Sequence, residues 1–142
     1  MDAAQLLISA YSLDANVKNR YDLNVVYNDN ALYLTTGGPL GYRQNIDLTT
    51  GILKRTSEIG DIVRILYHEL IHVHQRATLQ MTDHNEREFL AYYGVIFAPT
   101  HLPPVLQENT DYWTSKAIQY YGNLSPTVQE RYRTQYNKLI GQ

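Results

Sequence analysis

Residues 67–75 read Tyr-His-Glu-Leu-Ile-His-Val-His-Gln, a run that holds three of the five histidines in the chain and one glutamate. On an α-helix His68 and His72 lie one turn apart on one face, near enough for both imidazoles to reach one ion at about 2.0–2.1 Å. Glu69 is rotated only about 100° from His68, so its carboxylate can sit beside the ion without binding it. There it can take a proton from a water and pass it to a leaving amine. Zinc suits this set, because it favours imidazole and carboxylate ligands and lowers the pKa of bound water toward neutrality. The chain has no cysteine, so any metal must rest on His, Asp or Glu. With five His and six Glu in 142 residues, chance yields His-Glu-x-x-His in about one such chain per hundred. The spacing therefore needs its context, and a hydrogen-bonded polar seam in a buried helix is the competing reading.

That context is helical. Ile59, Ile62, Val63, Leu66, Leu70, Val73 and Ala77 follow three-and-four spacing, with Ile65, Tyr67 and Ile71 adding apolar surface on other faces. The pentad thus interrupts a helix that is expected to be central and largely buried. Burying its polar groups without partners is unfavourable by several kcal/mol, which a metal would offset. Thr56 or Ser57 is expected to cap this helix, and Glu58 and Asp61 suit the positive end of its dipole.

Upstream, Ala3 to Leu13 has the spacing of a short amphipathic helix. Leu23 to Tyr27 and Ala31 to Thr35 read as strands joined by Asn28-Asp29-Asn30 into a hairpin, and Tyr42 to Leu48 as a third strand ended by Thr49-Thr50-Gly51. A three-stranded, mostly antiparallel sheet is the expected sum. Downstream, Asp83 and Glu86 have capping-box spacing for a second helix that runs to about Phe97. Pro103-Pro104 opens a third, Val105 to Tyr121, and Ser125-Pro126 starts a last one reaching Ile140. The fold class is α+β: a small sheet on the central helix, with further helices behind it, in one domain spanning residues 1–142.

A catalytic zinc takes a third protein ligand and leaves one position open. Downstream donors are His84, Glu86, Glu88 and His101. Glu88 is favoured, since it falls well inside the second helix and Ala91, one turn on, is small enough to let that helix approach the first closely. Glu86 is better read as a capping residue and His84 as an exposed first-turn residue. His74, about 200° around from His72, faces away and is read as a histidine hydrogen-bonded to a neighbour. Trp113 is read as core. Candidates for stabilising an oxyanion are His101, Tyr112, Tyr120 and Tyr121, with Tyr112 and His101 ranked first because they follow the second helix.

Composition narrows the partners. An apolar fraction of 44% and a charged fraction of 18% set a mostly disordered chain aside. A net charge of −2, with no basic run beyond Lys54-Arg55, argues against nucleic acid. No apolar run approaches membrane-spanning length, and the opening stretch has an acidic residue where a signal peptide wants basic ones. An excised domain, or a protein delivered by another system, is the expectation.

The sequence His-Glu-Leu-Ile-His, followed sixteen positions after His72 by Glu88 in Glu-x-x-Ala, resembles the zincin metallopeptidases of the gluzincin type. The longer run through Val73-His74-Gln75 is similar to small metallopeptidase domains found as C-terminal modules of bacterial polymorphic toxins and as injected effector proteases. The likeness covers about residues 57 to 97. It implies a zinc endopeptidase of protein or peptide substrates, with zinc on His68, His72 and Glu88, Glu69 as base, and an edge strand that pairs with extended substrate. A toxin or effector domain would further imply secretion or injection into a recipient cell and a cognate immunity or delivery protein. Position 78 is Thr78, so the metzincin extension fails. Position 92, where gluzincins often carry an Asp that orients a zinc-bound His, is Tyr92, which leaves Asn85, Tyr92 or a backbone carbonyl for that task. Other readings are an inactive zincin-like module that binds peptide or acts as a scaffold, which the Tyr at position 92 favours, and a metal hydrolase of another substrate class.

Overall fold

A computed structural model of the chain describes residues 2–56 and 58–141. Ser57, one of the two expected caps, lies outside them. Among the described residues seven helices and three strands form an α+β fold, and no helix is long and apolar enough to cross a membrane. Helix α1, Ala3–Ala10, is capped by the Asp2 side chain, which accepts from the Gln5 amide at 2.9 Å. It stops short of Leu13, but Leu13 and Val17 reach the same core from the turns that follow.

The sheet differs from the expected one. Strands β1 (Tyr21–Val26), β2 (Leu34–Gly37) and β3 (Gln44–Thr49) lie in the order β1-β3-β2, with β1 parallel and β2 antiparallel to β3. The expected hairpin between the first two strands is therefore absent, and the sheet is mixed. Two features explain this. Strand β3 carries Gln44, Ile46, Leu48 and Thr49, all fully buried, and a strand so placed needs a neighbour on both edges. The Asn28-Asp29-Asn30 segment reverses the chain without closing a tight hairpin, and folds onto the start of α2 (Thr50–Arg55), a helix that the sequence reading does not contain. The Asn28 carbonyl accepts from the Gly51 amide, Ala31 O accepts from Thr49 Oγ1, and the Asp29 carboxylate takes Thr50 and Lys54. Gly51 is required there, since a Cβ would come within 2.2 Å of the Ala31 oxygen.

Helix α3 (Ile59–Val73) crosses behind the sheet and continues into a π-helical turn, His74–Thr78. Thr56 does not cap α3; its hydroxyl donates to Ile52 O at the end of α2, and Glu58 takes the N-cap position without a side-chain bond. Val63, Leu66, Leu70 and Val73 join Ile46, Leu48 and α1 in the main core. Helix α4 (His84–Ile96) is capped by Asp83, which accepts from the Glu86 amide at 3.0 Å. It lies tightly on α3 because Ala91 is fully buried and Gly94 leaves room for Ile71, whose Cδ1 would be 2.6 Å from a Cβ there.

Helices α5 (Gln107–Gly122), α6 (Pro126–Arg131) and α7 (Arg133–Leu139) complete the chain. The single last helix that was expected is broken at Tyr132, whose ring packs on Phe89 and whose hydroxyl donates to Glu86 across from α4. Phe89, Ala117 and Leu139 centre a second core walled by Tyr92, Tyr120, Tyr121, Tyr132 and Tyr136. Many of the tyrosines serve here, each with a buried ring and an edge near solvent.

Candidate functional site

Helix α3 presents His68 and His72 toward α4, which returns Glu88 to the same point, and Glu69 toward β2. The Nε2 atoms of His68 and His72 are 3.1 Å apart, and Glu88 reaches His72 Nε2 at 2.9 Å and His68 Nε2 at 3.5 Å. The three residues offer ligand atoms that all lie within 4.8 Å of one another. Donor atoms on a tetrahedral ion at about 2.0–2.1 Å would be about 3.3 Å apart, so these separations bracket the required edge. Two imidazole nitrogens and one carboxylate oxygen are also the donor types zinc prefers.

The electrostatics of the cluster favour positive charge beside Glu88. Burial opposes charge on Glu88, but His68 and His72 outweigh it and keep the carboxyl far below the ordinary carboxylate range. Burial likewise opposes protonation of His72, yet the Glu88 and Glu69 carboxylates raise its pKa. Glu69 is 8% exposed, and burial pushes its carboxyl up against the opposing pull of the two histidines. Its Oε2 accepts from the Thr36 hydroxyl at 2.6 Å, which fixes it to strand β2.

Gln75 orients His72. It is 2% exposed in the π-helical turn, its Nε2 donates to the Arg87 carbonyl at 3.0 Å, and its Oε1 lies 2.8 Å from His72 Nδ1. With the amide nitrogen committed, Oε1 must accept, so the proton sits on Nδ1 and the Nε2 lone pair faces the cluster. Gln75, which the sequence reading missed, thus takes the orienting task expected of Asn85, Tyr92 or a backbone carbonyl; Tyr92 instead packs edge-on against His68, ring centroids 4.6 Å apart. Replacing Gln75 with Leu is expected to weaken zinc affinity about 10- to 100-fold, while Gln75→Glu, which keeps the acceptor, retains it. Competition with a chromophoric chelator measures this, and an undiminished affinity in the Leu variant would remove the orienting role.

Two cavities meet at Glu69. The larger, about 780 Å³, is bordered by His68, Glu69, Tyr92, Tyr112, Trp113 and Asp61; the smaller, about 220 Å³, by Thr36, Glu69, His72, His84 and Glu88. Leu34 borders both, so the cleft follows β2, which pairs only with β3 among the described residues and keeps its other edge free.

The remaining candidates are sorted by this geometry. Tyr112 lies on the cavity wall and is 54% exposed. His101 is elsewhere: its Nε2 contacts the Tyr11 carbonyl at 3.0 Å and it does not line the larger cavity. Tyr121 donates to Gln129 O in the second core, and Tyr120 stacks on Tyr92. Glu86 does not complete a capping box; its carboxylate takes Tyr132 and Arg131. His84 packs on Tyr120 beside the smaller cavity, outside the three-residue cluster. His74 lies outside it too, and its buried Nδ1 has no partner among the described residues, contrary to the expected hydrogen bond. Trp113 is buried, with one side toward the cavity. Compared with known proteins, the chain matches no family model, no curated protein and no solved structure.

Proposed function

We propose that the chain is a zinc-dependent endopeptidase of the zincin type. The reading is carried by one observation: ligand atoms of His68, His72 and Glu88 converge within 4.8 Å, with the unliganded carboxylate of Glu69 beside them at the junction of two cavities. Bound there, zinc would supply a Lewis acid for the peptide carbonyl and a water acidified toward neutral pH. Glu69 then serves as the proton carrier, accepting a proton from the attacking water and delivering it to the leaving amine. Its burial favours this double role, because a carboxylate whose pKa is raised is a stronger base toward the attacking water. Thr36 keeps it in position.

The free edge of β2 offers backbone amides and carbonyls to an extended peptide, which gives affinity without demanding one sequence. Tyr112, on the cavity wall, is the donor for the developing oxyanion, and Tyr92 shapes the wall next to His68. The protein loaded with zinc is expected to cut unfolded polypeptides, to lose that activity when stripped by a chelator, and to regain it with one equivalent of zinc. A folded protein with zinc bound that leaves every unfolded polypeptide intact would overturn the assignment.

A further inference from the structure

We propose that the inner part of the larger cavity is a subsite for a cationic side chain, lysine or arginine, of the peptide substrate, and that Asp61 selects it. The inference rests on the peptidase reading and names its substrate class.

Asp61 lies in the first turn of α3 and borders the same cavity as His68 and Glu69. The residue is 4% exposed, and its Oδ1 is buried with no hydrogen-bond partner among the described residues. A buried carboxyl oxygen without a partner is unfavourable, which the first turn of the helix offsets in part. The hydrolytic chemistry does not use it, since Asp61 is seven residues, about 10.5 Å of helix, from His68.

The nearest cation is Arg64, which borders the same cavity, whose pKa burial lowers and Asp61 raises, and whose buried Nε has no hydrogen-bond partner among the described residues. Arg64, one turn on, donates from Nη1 to Val95 O at 2.7 Å and from Nη2 to Pro103 O at 3.4 Å, which turns its fork toward the end of α4. It forms no ion pair with Asp61 among the described residues. Arg55 and Glu108, both exposed, bring one charge of each sign to the border of the cavity. Ile65, on the helix between Asp61 and His68, and Val95 and Trp113 supply apolar wall for the methylene stem of a long side chain. A residue flanking the bond cut beside Glu69 needs such a long side chain to reach Asp61; Ala, Ser or Val leaves the carboxylate unanswered.

The test is cleavage of a random-sequence peptide library by zinc-loaded wild type, Asp61→Asn and Asp61→Arg, with the new termini read by mass spectrometry. Wild type is expected to favour Lys or Arg at one position flanking the cut by at least about tenfold over other residues. Asp61→Asn should bring that ratio near one, and Asp61→Arg should shift it toward Asp or Glu. Because the ratio is internal to each sample, partial misfolding does not imitate the result. No basic preference in wild type, the same preference in Asp61→Asn, or enrichment of Asn and Gln in place of Lys and Arg overturns the subsite. If no library peptide is cut, the peptidase reading falls instead, and the subsite is tested alone by titrating n-butylguanidinium into wild type and Asp61→Asn. Binding that weakens at least about tenfold in the variant then sustains the cationic subsite, and no binding to wild type ends it.

Discussion

Glu69→Gln is expected to retain zinc and to lower kcat for peptide hydrolysis by about 10²- to 10⁴-fold, the range associated with removing a general base. The amide has the shape of the carboxyl it replaces and keeps an oxygen that can accept from Thr36 Oγ1, now 2.6 Å away, so the site geometry should persist. What the variant loses is the ability to take a proton. Stability should move the other way. Burial raises the Glu69 carboxyl, so its ionised form is less favourable in the folded chain than in the unfolded one at neutral pH. Gln removes that unfavourable charge, and the metal-free variant should melt at the same temperature as wild type or higher. Activity, zinc content and thermal unfolding measured on one preparation separate a chemical role from damage. Turnover within about tenfold of wild type would sink the role given to Glu69.

Glu88→Ala is expected to weaken zinc affinity at least about 100-fold, beyond the usual effect of losing an outer contact, and to abolish turnover at limiting zinc. It should also change how affinity depends on pH. In the metal-free cluster the pKa of His72 is raised, because the Glu88 carboxylate at 2.9 Å and the nearby Glu69 outweigh the burial that opposes its charge. A proton therefore occupies the cluster on the acid side of that raised pKa, and zinc must displace it. Wild-type affinity should fall as pH drops through the His72 pKa and level off above it. In Glu88→Ala burial is left with less opposition, so the same fall should begin at lower pH. Zinc titrations across pH 5 to 8 on both proteins read the two effects together. An unchanged affinity in the variant would move the third ligand elsewhere, with His84, the other donor beside the smaller cavity, next in line.

What could be read from spacing alone is what depends on near neighbours in the chain. The one-turn separation of His68 and His72, the cap at Asp83 and the small Ala91 that lets α4 approach α3 are local properties of helices, and they brought Glu88 to the cluster. Gln75 was legible in principle, three residues beyond His72, but the π-helical turn that directs it back is not a feature of residue type. The order of the strands was not legible. The Asn28-Asp29-Asn30 segment has turn chemistry, yet that chemistry is spent on the first turn of α2, and β3 takes the centre because its side chains are the ones buried. For the same reason Thr36 came to hold Glu69 only once β2 stood at the sheet edge.

His101 and Tyr112 mark the boundary most clearly. Both follow α4, and nothing in the residue order separates them; packing of α5 turned Tyr112 to the cavity, whereas the loop before it carried His101 to the Tyr11 carbonyl. The amino-acid order settled the central helix α3, the helix α4 with its cap at Asp83, and the donors that recur at helical spacing, since these follow from hydrogen bonds and contacts within a turn or two. The partner of Glu69, the free strand edge and the unpaired Asp61 were decided by contacts between segments far apart in the chain, where burial chooses among many pairings that local preference leaves equal.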